Sequence, residues 1–92
     1  MTAFESHQRL AQALDHLHAG RWTEGHNLVQ TDSSPLAAWL HGIVHIQEGD
    51  LDNARYWYDQ AHRNFRSRGS LAEEMERFEA ELGSCSPIDS KK

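Results

Sequence analysis

The sequence repeats itself. Sliding it by 29 positions sets Leu10 on Trp39, Ala13 on Gly42, Leu14 on Ile43, Leu17 on Ile46, Gly20 on Gly49, Trp22 on Leu51, Gly25 on Ala54 and Val29 on Tyr58. A unit recurring at such a period is one supersecondary element that cannot bury its apolar face alone and must stack on its neighbour. Each copy carries apolar residues at helical spacing and a glycine where the chain reverses, Gly20 and Gly49. Each also has a pair of small residues, Ala13 with Gly25 and Gly42 with Ala54, where two helix backbones would approach closely. The unit is a hairpin of antiparallel helices, and the chain holds two.

Local signals place five helices. Thr2 with Glu5 reads as a capping box, after which Leu10, Leu14 and Leu17 recur until Gly20. A short second helix carries Trp22, Leu28 and Val29 and ends in QTDSS. Ser34 followed by Pro35 is a strong helix start, because proline needs no N–H partner in the first turn. That third helix runs to Glu48 and Gly49. Asp50 caps a fourth, expected to follow one stripe through Leu51, Ala54, Tyr58, Ala61 and Phe65 and to end at Arg68 and Gly69. Ser70 with Glu73 opens a fifth, amphipathic helix with a seam of Leu71, Met75, Phe78 and Leu82. No run alternates with period two and only two prolines occur, so the fold class is all-α. Residues 1–83 are expected to form one helical-repeat domain and 84–92 a disordered tail.

The second hairpin, residues 35–66, resembles the tetratricopeptide-repeat family. Gly42, the turn GDLDNA with Gly49, Asp50, Leu51 and Ala54, and then Tyr58 and Ala61 stand at that family's small, turn and interlocking positions. The likeness covers about 30 residues well and the preceding 30 weakly. The string EGDLDNARYWY is also similar to one in small bacterial proteins of unassigned function, and it carries no activity with it. Three departures are evident. The shift is 29 residues where that family uses about 34; His41 and His45 stand where a large apolar residue and an aromatic are usual; Arg66 stands where a proline often closes the repeat.

In a tetratricopeptide-like arrangement, Trp39, Ile43 and Ile46 would line a concave groove with Leu10, Leu14 and Leu17. At about 25 cal/mol per Å2, leaving even three such side chains in water forgoes several kcal/mol, comparable with the whole stability of a small domain. The fifth helix can fill the groove, or a second copy or a foreign helix can. The expected partner is a protein or peptide, chiefly a second copy of the chain in a homodimer. Trp39, Ile43, Ile46, Tyr56, Trp57, Leu71, Met75 and Phe78 are the candidate partner-binding residues. Tyr56 points away from the core stripe, and Trp57 borders it. Glutamates 73, 74, 76, 79 and 81 oppose Arg55, Arg63, Arg66 and Arg68, a complementarity that would guide docking of the fifth helix.

Fourteen acidic residues against nine basic ones give a net charge of -5, which disfavours a phosphate backbone or an anionic membrane. Protonation of all seven histidines would move it to +2. A single cysteine, Cys85, excludes an intrachain disulfide framework, and no apolar run reaches the length of a membrane span. A cytoplasmic protein is expected. No phosphate loop, nucleophile elbow, paired-cysteine site or cofactor motif occurs, so no enzyme is expected and no catalytic residue is assigned. The second possibility is a metal site on the third helix. His41, His45 and Glu48 share its polar strip at spacings of four and three, from which side chains can converge on one ion, although HGIVH lacks the glutamate of the zinc-protease pattern. His7, His26 and His62 fall on separate segments and join no pattern.

Overall fold

A computed structural model describes residues 2–84; of the expected tail, Ser84 is helical and residues 85–92, Cys85 among them, lie outside the described residues. Among the described residues the fold is all-α, with five helices in chain order: α1 (Ala3–His18), α2 (Trp22–Val29), α3 (Pro35–Glu48), α4 (Leu51–Gln60) and α5 (Leu71–Ser84). A 3-10 turn, Phe65–Ser67, precedes α5. The caps are those the sequence signals. Thr2 and Glu5 exchange hydrogen bonds at 2.8 and 3.1 Å, and Ser70 and Glu73 do the same at 2.8 and 3.1 Å. The Ser34 hydroxyl accepts from the Ala37 N–H at 3.1 Å, and Gly49 closes α3 in the left-handed region at φ 95°.

The hairpins α1–α2 and α3–α4 stack through contacts of α2 and α1 with α3, and α5 lies across α1 and α3. Helix α3 touches all four other helices, which is why every residue from Ala37 to His45 is buried. The small residues stand where helices come closest. A Cβ on Gly42 would sit 2.5 Å from the Tyr58 ring and 3.2 Å from the Ala54 carbonyl oxygen, and one on Gly25 would sit 3.2 Å from Leu17. Across the hairpin boundary, Gln47 donates to the Leu17 carbonyl at 2.8 Å, fastening α3 to the end of α1.

Two boundaries differ from the sequence expectation: α5 continues through Gly83 to Ser84, the first residue of the expected tail, and α4 ends early. Helix α4 stops at Gln60, well before Arg68. His62 takes a left-handed backbone, φ 62°, and is the only non-glycine among the described residues with positive φ. The Arg63 N–H donates back to the Tyr58 carbonyl at 2.9 Å and the His62 N–H to Asp59 at 3.0 Å, the pairing that normally ends a helix on glycine. The Asn64 side chain then accepts from the Arg66 N–H at 3.0 Å and starts the 3-10 turn. Phe65 is buried as expected, but it reaches the core from this turn and not along the α4 stripe.

Candidate helix-binding groove and histidine cluster

The groove between α1 and α3 is filled by the chain's own α5. Leu10, Leu14 and Leu17 from α1, Trp39 and Ile43 from α3, and Met75, Phe78 and Leu82 from α5 belong to one buried cluster, with Ile46 and Leu71 at its margin. Phe78 meets the Trp39 indole edge-on at a centroid distance of 5.2 Å. At the far end, the His7 ring nitrogen Nε2 donates to the Leu82 carbonyl at 3.0 Å, satisfying an acceptor that the last turn of α5 leaves open.

A buried carboxylate fixes the register of α5. Glu74 is 3% exposed. Its Oε1 accepts from the Tyr58 hydroxyl at 2.5 Å and from the Trp39 indole N–H at 3.3 Å, and its Oε2 accepts from the Gly69 N–H at 2.9 Å and from Arg77 at 2.8 Å. Burial by itself would raise the Glu74 pKa, but these donors together outweigh it and hold the carboxyl below its ordinary value. The Tyr58 hydroxyl is pushed the other way, by burial first and then by the hydrogen bond and charge of Glu74. Beside this network the Arg63 guanidinium lies 3.4 Å from the Trp39 ring centroid and pairs with Glu81 at 2.9 Å. A carboxylate with four donors leaves no lone pair for chemistry; the arrangement holds a helix in place.

The candidate partner-binding residues thus divide. Trp39, Ile43, Met75 and Phe78 are core of the single chain, so a partner reaches them only where α5 gives way. Ile46, Trp57 and Leu71 are half-buried, and Tyr56 is 54% exposed. Of the expected opposition between the α5 glutamates and Arg55, Arg63, Arg66 and Arg68, one pair forms among the described residues, Arg63 of the α4–α5 connection with Glu81, while Glu74 turns inward in place of joining a solvated face.

The polar strip of α3 is not a solvated one either. His41 and His45 are buried, with His41 stacked on Trp57 at a centroid distance of 3.9 Å and an interplanar angle of 10°. His26 of α2 closes on the same place, 4.7 Å from His41 and 5.4 Å from His45 between ring centroids. Glu48 is exposed and accepts from the His45 Nδ1–H at 2.7 Å. Burial, reinforced by the neighbouring His26 and His45, lowers the His41 pKa to about 3, and burial also lowers that of His26. His26 was not assigned from sequence. The signal available was its place on α2, the helix that a stacked hairpin sets against α3. His16, the repeat equivalent of His45, stays outside the cluster and accepts from Arg21 at 3.0 Å.

No family model, curated protein or solved structure matches the chain in comparison. Among the described residues, no helix is long and apolar enough to cross a membrane.

Proposed function

We propose that this chain is a non-enzymatic protein-interaction module of two tetratricopeptide-like hairpins, working in the cytoplasm, whose α1/α3 groove receives an amphipathic helix. The resident helix is its own α5, and self-association proceeds by exchange of α5 between two copies. The observation that carries this reading is the way α5 is held: an apolar seam in the groove, fastened by the four donors on Glu74. Every one of those contacts can be made equally by the α5 of a second copy. The open dimer therefore differs from the closed monomer mainly in the connecting segment and in the entropy of association. The connection contains His62 in a left-handed backbone, which disfavours the closed form relative to an extended one. The lone cysteine fits a reducing compartment.

The test is a synthetic peptide of residues 69–84 carrying a fluorophore, titrated with the unlabelled full chain and followed by anisotropy. Saturable binding that is weakened in a peptide carrying Glu74→Ala supports the groove as a receptor for this helix. No binding, or equal binding of the two peptides, contradicts it.

A further inference from the structure

Three imidazoles from two helices meet on the side of α3 away from α5. His26, His41 and His45 each offer a ring nitrogen, and these nitrogens all lie within 4.8 Å of one another. The spacing of His41 and His45 sets them on one face of α3, a turn apart. His26 arrives from α2 because Gly25, its neighbour, lets α2 settle against Ala13 and Leu17. We propose that His26, His41 and His45 form a binding site for one zinc-class divalent metal ion, with the fourth coordination position left to solvent.

Several observations lead to this. An ion bound by imidazole at about 2.0 to 2.1 Å in tetrahedral geometry needs nitrogens about 3.4 Å apart, so the rings must close by only on the order of 1 Å, within reach of side-chain torsions. His45 carries the brace such ligands usually have: with Nδ1–H donated to Glu48 at 2.7 Å, its Nε2 is the nitrogen left with a free lone pair. Neither His26 nor His41 makes a ring hydrogen bond to any described residue, so no existing partner has to be displaced. The charge of the ion is also answered locally, since His45, Glu48 and Asp50 form a second group with ligand atoms within 4.8 Å of one another. Trp57, stacked on His41, walls the site on the α4 side and limits how far that ring can swing.

Zinc chloride titrated calorimetrically into chelator-treated full chain tests the site, with cobalt(II) absorption as a readout of geometry. The expected result is equimolar saturation with tetrahedral cobalt bands. His26→Ala, on a half-buried ring whose loss leaves the core intact, is expected to weaken zinc by well over tenfold, and Glu48→Gln by roughly 10- to 100-fold through loss of the brace. A His18→Ala/His62→Ala chain, lacking two exposed histidines outside the cluster, is expected to bind as the unaltered chain does. Circular dichroism of each variant before titration establishes that it is folded. Absence of equimolar saturation, affinity unchanged in His26→Ala, or affinity lost in the control variant would overturn the assignment.

Discussion

Tyr58 donates its hydroxyl proton to Glu74 at 2.5 Å, joining the core of the second hairpin to the helix that fills the groove. Both groups are buried. Replacing Glu74 by alanine leaves the Tyr58 hydroxyl, the Trp39 indole N–H and the Gly69 N–H without their acceptor. At about 1 to 3 kcal/mol for each group left buried and unpaired, the expected loss is about 3 kcal/mol or more, a large part of the stability of a chain this size. Glu74→Gln keeps an acceptor for Tyr58 and Trp39 but sets an amide N–H2 against the Gly69 and Arg77 donors, so a smaller loss is expected. Urea midpoints of the three proteins give the order.

Acid should weaken the fold by two routes of the same sign. The folded-state pKa of His41, about 3, lies below its ordinary 6.5, so the unfolded chain takes up a proton that the folded chain refuses. Its contribution is complete above about pH 6.5 and declines as pH falls toward 3, at up to about 1.4 kcal/mol per pH unit. Glu74, also lowered, adds stability that is present above the ordinary carboxylate range and lost as pH falls through its folded value. In chelator-containing buffer, urea midpoints are expected to drop between pH 7 and pH 5. His41→Phe, which keeps a ring against Trp57, should flatten that drop, and an unchanged slope would count against the assignment to His41.

The two interhelical glycines are expected to respond differently to alanine. At Gly42 the new Cβ would meet the Tyr58 ring at 2.5 and 2.7 Å, and that ring is pinned by Glu74. Overpacking of this kind costs about 1 to 3 kcal/mol. At Gly25 the nearest atom is the end of the Leu17 side chain at 3.2 Å, which can yield, and the gain in helix propensity of up to about 1 kcal/mol offsets the crowding. Thermal unfolding should therefore show Gly42→Ala well below Gly25→Ala.

His62→Gly is expected to stabilise the chain by about 0.5 to 1 kcal/mol, because glycine adopts the left-handed backbone at φ 62° without the Cβ penalty. By favouring the closed connection it should also reduce the dimer fraction at a given concentration, a second readout from the same variant.

The parts of this fold that were legible in the sequence are those written in neighbouring residues. Thr2 with Glu5, Ser34 with Pro35 and Ser70 with Glu73 mark helix starts because a cap is completed within three positions, and Gly42 with Ala54 is visible because the repeat superposes it on Ala13 with Gly25. The end of α4 was hidden for the opposite reason. Ala61 and Phe65 continue its apolar spacing, and the residue that breaks the helix is a histidine in a conformation usually marked by glycine. Glu74 is one of five glutamates on α5, and only its three-dimensional partners, drawn from α3, α4, the connection and α5 itself, distinguish it from a solvated charge. His26 is separated from His41 and His45 by a loop, so no local spacing could bring them together.

Light scattering of the full chain from micromolar to millimolar concentration tests α5 exchange most directly. The account predicts a mass that rises from one chain toward two as concentration increases, with His62→Gly shifted toward the single chain. A mass of one chain across the whole range would contradict it.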